Sequence, residues 1–134
     1  LFAGAAVSNI IQITPFMHVK ELEKARTFFN DILGFETQFR ARDYACIHRE
    51  TAGIRILEQK GAAAAPPGTR RFAYYIDVRD ADQLYPELKP KLATLPTRDV
   101  YGPVNQPYSQ RELLVLAPDG NLIVFGPAVA TAKA

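Results

Sequence analysis

Two histidines, one cysteine and a scatter of tyrosines are the side chains in this chain with chemistry to offer. His18 follows Thr14 and Phe16 at steps of two. In a strand, side chains alternate between faces, so all three would share one face. An imidazole there could ligate a metal or shuttle a proton; a polar rim or hydrogen-bonded strand residue is the plainer expectation. His48, near the end of another expected strand, reads the same way. Cys46 has no second cysteine to pair with. A thiol nucleophile needs a base beside it, and no Cys/His pair stands in a recognisable local arrangement. A small buried strand residue in a reducing, cytosolic compartment is therefore expected. No G-x-S-x-G elbow and no glycine-rich phosphate loop is present.

The elements that must position these residues follow from periodicity. Residues 10–19 read as a strand. Residues 21–33 read as a helix, with Leu22, Ala25, Phe28, Phe29, Ile32 and Leu33 on one stripe. Gly34 stands where a left-handed cap would end it. Strands are expected at 35–40, 44–48 and 54–58, the last two joined by a turn at 50–53. Residues 61–68 are rich in Ala, Pro and Gly and read as part of a linker over 61–70.

The order then begins again. A strand at 72–78 leads to Asp80, a good helix N-cap with Gln83 three residues on. Ala81, Leu84, Leu88 and Leu92 form the second helical stripe. Pro86 and Pro90 each remove a helix hydrogen bond, so this helix is expected to kink or end early. A weaker strand is expected near 94–100, then a hairpin of 112–116 and 121–125 across Pro118-Asp119-Gly120. Strand, helix, strand, hairpin occurs twice, which points to a duplicated unit. Laid over one another, the hairpin 46–57 matches 114–125. Fold class is thus α+β: two tandem βαβββ units, 10–60 and 71–127, in one compact domain.

Composition narrows the function. A net charge of +2 without a Lys/Arg-rich run argues against nucleic-acid binding. The apolar opening at 1–7 is too short to span a membrane and lacks a basic flank, and no other stretch approaches spanning length.

Several stretches resemble the glyoxalase/bleomycin-resistance/extradiol dioxygenase (vicinal oxygen chelate) superfamily. Val19-Lys-Glu-Leu-Glu-Lys-Ala-Arg-Thr-Phe-Phe-Asn-Asp-Ile-Leu-Gly-Phe35 is similar to its first strand-end and helix, and Ala117-Pro-Asp-Gly-Asn-Leu-Ile-Val-Phe-Gly126 to its last hairpin. The resemblance covers about 10–127 and implies two cupped mixed sheets enclosing a cavity, with the helices outside. It also implies where metal ligands would stand in metal-dependent members: Thr14, Ile56, Ala73 and Val124. A hydroxyl, a methyl and two branched alkyls are not the donors a divalent cation needs. No metal and no cofactor is therefore expected.

Asp43-Tyr-Ala-Cys-Ile-His-Arg49 and Asn105-Gln-Pro-Tyr-Ser-Gln-Arg-Glu-Leu113 resemble the metal-free bleomycin-resistance group. That resemblance implies a ligand held in clefts at a homodimer interface by aromatic stacking, with Tyr44 and Tyr108 at pocket positions. Phe16, His18, Tyr75 and Asp77 would face the same cavity, with Tyr75 rather than Tyr74 turned inward. Arg111 is expected at the ligand or as a partner of a carboxylate. The implied function is metal-independent binding or sequestration of a small molecule, an antibiotic or another hydrophobic or aromatic ligand. Bleomycin-type drugs are cationic and this chain is mildly basic, so a neutral or anionic aromatic is favoured. The alternatives are a glyoxalase- or dioxygenase-type metalloenzyme with displaced ligands, and a dimeric scaffold with no dedicated ligand.

Overall fold

The computed structural model describes residues 9–60 and 72–129; the linker expected at 61–70 and the opening at 1–7 lie outside them. The first unit runs β1 (Phe16–Val19), α1 (Leu22–Asp31), β2 (Glu36–Arg40), β3 (Tyr44–Arg49) and β4 (Ala52–Glu58). The second runs β5 (Ala73–Asp77), α2 (Ala81–Leu92), β6 (Val100–Asn105), β7 (Arg111–Leu116) and β8 (Leu122–Gly126). Each unit forms a four-stranded mixed sheet, β1-β4-β3-β2 and β5-β8-β7-β6, with the first and last strands of the unit parallel. The α+β class and the tandem βαβββ arrangement are as the sequence implies.

Alternation gives each sheet a core face and an open face. Met17, Val19, Ala45, Ile47, Ile54 and Ile56 are buried with Leu22, Ala25 and Phe29 of α1 and Leu33 just beyond it. Leu113, Val115, Ile123 and Phe125 join the same cluster with Leu88 and Leu92 of α2. Burying a side chain such as Phe29 stabilises the fold by about 1.5–3 kcal/mol. The second turn also stitches the two units. The Asn121 amide donates to the His18 carbonyl (3.2 Å), and the Lys20 N–H donates to Asp119 (2.8 Å).

Helix α1 begins on a borrowed cap. Glu21 makes no side-chain cap; the Glu58 carboxylate, from the end of β4, accepts from the Leu22 N–H at 2.8 Å. That bond holds the Glu58 carboxyl below its usual range. Gly34 has φ +75° and ends the helix as expected, and the Phe35 N–H returns to the Phe29 carbonyl.

Several expectations are corrected. The strand expected over 10–19 is only Phe16–Val19. Pro15 has no N–H to offer a ladder, and Ile10, Ile11 and Ile13 stand exposed. The first hairpin turn is tighter than 50–53: Arg49 pairs with Ala52, and Glu50 takes the left-handed conformation. Helix α2 runs unbroken through both prolines. Pro86 and Pro90 are spaced by four on its exposed side, where water can satisfy the carbonyls they release. Asp80 caps it, accepting from the Asp82 N–H at 2.9 Å. The weak strand near 94–100 is instead a 3-10 turn at Thr97–Asp99, and β6 follows it. Gly102-Pro103 disguises β6 in the sequence because it forms a register shift inside that strand.

Candidate functional site

The open face of the first sheet carries a row of three rings. Tyr44 on β3 lies between Phe16 on β1, with ring centroids 6.2 Å apart, and Phe39 on β2, at 6.0 Å. Phe16 and Phe39 are each about half exposed. Such rings offer large contact area at low entropic cost. The Tyr44 hydroxyl meets the Cys46 thiol at 3.0 Å and accepts from Arg55 Nη1 at 2.6 Å. The thiol contact and burial raise the phenol above its ordinary range, while Arg55 pulls it down. Cys46 is half-buried on this open face rather than in the core, a correction that follows from its pairing with Arg55. His18 shares this face; its Nδ1 is buried without a described hydrogen-bond partner.

The open face of the second sheet is built around a carboxylate. Glu112 is 2% exposed, and its Oε1 accepts from the Tyr108 hydroxyl at 2.8 Å. Tyr75, on the open side, brings its hydroxyl beside Glu112 over Gly126. Although Tyr75 is 42% exposed, its hydroxyl end is enclosed by Gly126 and Glu112. That enclosure and the adjacent carboxylate push its phenol up to about 12. Tyr108 is shifted upward by the same carboxylate. Tyr74 faces the other way, packs against the core and donates to the Phe16 carbonyl at 2.9 Å.

Arg111 and Tyr108 stand apart from the row of three rings. Arg111 leaves the open face: it makes a two-pronged ion pair with Asp82 of α2, at 2.5 and 2.8 Å, and bonds Asn105. It is one step from Glu112, so strand alternation sends it to the opposite side. Tyr108 lies in the turn between β6 and β7 of the second unit and Tyr44 on the first sheet, so the two do not meet in one chain's aromatic row.

Ile56 also moves. It is fully buried and pairs with Met17, on the core face. The second hairpin carries one residue more than the first between equivalent pairs, Cys46–Arg55 and Leu114–Val124. The counterpart of Val124 is therefore Arg55, and a one-residue slip exchanges faces. The positions equivalent to the metal ligands hold Thr14, Arg55, Ala73 and Val124. Hydroxyl, guanidinium, methyl and isopropyl do not fit a divalent cation. Among the described residues no three His, Cys, Asp or Glu side chains converge as a metal set.

Sequence reasoning missed Phe39, Arg55 and Glu112. Glu112 was within reach, since it alternates with Leu114 and Leu116. Phe39 was not, because the register shift between Thr37 and Phe39 decides its face.

The chain belongs to the Glyoxalase/Bleomycin resistance protein/Dioxygenase superfamily, whose model matches residues 10–125. Solved structures with the same fold include a bleomycin-binding protein complexed with bleomycin. It is 18% identical with a TM-score of 0.75, covering 90% of this chain and 100% of that one. A bleomycin-binding protein from Streptomyces verticillus complexed with copper(II)-bleomycin is 24% identical with a TM-score of 0.71, covering 92% and 100%. Lactoylglutathione lyase from Agrobacterium tumefaciens is 15% identical with a TM-score of 0.60, covering 90% and 96%. No curated protein is a significant match. No helix among the described residues is long and apolar enough to cross a membrane.

Proposed function

We propose that this protein binds and sequesters a planar, neutral or anionic aromatic small molecule without a metal, in the manner of the bleomycin-resistance group. The observation that carries this reading is the Phe16–Tyr44–Phe39 row on an open sheet face. Each good aromatic stack adds about 0.5–1.5 kcal/mol beyond area burial. The side chains at the four metal-equivalent positions support the metal-free half of the reading. Arg55 beside the rings disfavours a cationic ligand.

The same reading makes the protein a homodimer. Phe16, Phe39, Tyr75, Tyr101 and Tyr108 remain 42–62% exposed in one chain, rings that a partner surface would cover. A second copy laid over the open faces would cover them and close the clefts. The single cysteine suits a reducing, cytoplasmic setting.

Native mass spectrometry of the dialysed protein tests these points together. The expected species is a two-chain assembly without transition metal. A stoichiometric metal surviving dialysis would overturn the metal-free reading, and a clean monomer at micromolar concentration would overturn the dimer.

A further inference from the structure

Arg55 projects from β4, an interior strand of the first sheet, onto its open face. The one hydrogen bond of its guanidinium among the described residues goes to the Tyr44 hydroxyl, and no described carboxylate pairs with it. Arg26, Arg40, Arg49 and Arg111 each pair with a carboxylate. Glu50, which lines the hollow beside Arg55, is already placed against Arg49 at 3.8 Å. Arg55 therefore keeps its charge and most of its five donors for something else.

A hollow of about 360 Å³ adjoins this guanidinium, bordered by Gln12, Thr14, Gln38, His48 and Thr51, with the Glu50 carboxylate at its edge turned to Arg49. These are short polar groups able to donate hydrogen bonds. The guanidinium stands where the equivalent position of the second unit has Val124. The Tyr44 hydroxyl steers it beside the aromatic row. A flat hydrophobic platform and a polar hollow headed by a guanidinium unpaired by any described carboxylate thus share one face.

We propose that Arg55 is the anion-recognition residue of this site, so that the ligand class is a planar aromatic carrying a carboxylate or comparable oxyanion. The ring lies on Phe16, Tyr44 and Phe39, and the oxyanion reaches the Arg55 fork and the polar hollow. A guanidinium takes the electrostatic role that a metal ion would otherwise have there. Its planar donors match a carboxylate in two-pronged fashion. The proposal rests on the aromatic-ligand reading above.

The test is calorimetric titration of the full chain with three naphthalenes of one shape: 2-naphthoate, 2-naphthalenemethanol and 2-naphthylmethylammonium. The wild type should bind the carboxylate about tenfold or more tighter than the alcohol, and the ammonium weakest. Arg55→Gln should erase that preference while still binding the alcohol, and Arg55→Lys should restore part of it. Near-equal affinities for carboxylate and alcohol in the wild type would overturn the anion role yet leave the aromatic platform standing. The wild-type series decides this even if a variant fails to fold. Failure of all three to bind at millimolar concentration would overturn the aromatic platform itself, and the anion role with it.

Discussion

The hydroxyl of Tyr75 occupies the space that a Cβ on Gly126 would need. The two residues lie on neighbouring parallel strands, and the missing side chain lets the Tyr75 ring lean across β8 toward Glu112. Gly126→Ala should push the ring out of its place beside the buried Glu112 carboxylate. A loss of about 1–3 kcal/mol is expected, the usual effect of overpacking a filled site. Tyr75→Phe removes the clashing hydroxyl, so the double variant should cost less than the sum of the two single changes. Urea unfolding of the four proteins checks this; full additivity would contradict it.

The same enclosure gives a pH signature. Tyr75 is raised from 10.0 to about 12 in the fold. Between those values the folded chain keeps a proton that the unfolded chain releases, so stability falls as pH rises. The contribution is fully present below pH 10 and gone above about 12. Ultraviolet titration should show a late-ionising tyrosine that disappears in Tyr75→Phe.

Helix α2 carries a removable defect. Pro86 lacks the N–H that would reach the Asp82 carbonyl, and its side chain is exposed. Pro86→Ala should stabilise the protein by about 1–2 kcal/mol: the restored helix propensity outweighs the freedom gained by the unfolded chain. Thermal melting would show the gain; a loss would mean that Pro86 packs against something in the assembly.

Arg111 separates structure from binding. Its guanidinium is engaged with Asp82 on α2, away from the open faces. Arg111→Gln should leave affinity for a planar aromatic unchanged. A tenfold weakening would return it to the site.

The duplicated order of elements was legible because the helical stripes and Gly34 are local signals. Position in space was less so. The slip between the hairpins is a single residue in a turn, yet it moves Ile56 into the core and Arg55 onto the open face. The aromatic row was half visible: Phe16 and Tyr44 follow from alternation, while Phe39 depends on a register shift. Arg111 was open between the ligand and a carboxylate partner in the sequence. Its neighbour Glu112 has the inward face, and only the partner on α2 reveals where the guanidinium goes.

The central claim is that an aromatic platform, not a metal, holds the ligand. Calorimetric titration of chelator-dialysed protein with 2-naphthoate, wild type against Tyr44→Ala, tests it most directly. Saturable binding without metal is predicted in the wild type. Loss of the central ring should weaken it tenfold or more, about 1.4 kcal/mol or above. Binding that appears only after a divalent cation is added back, or that is unchanged in Tyr44→Ala, would contradict it.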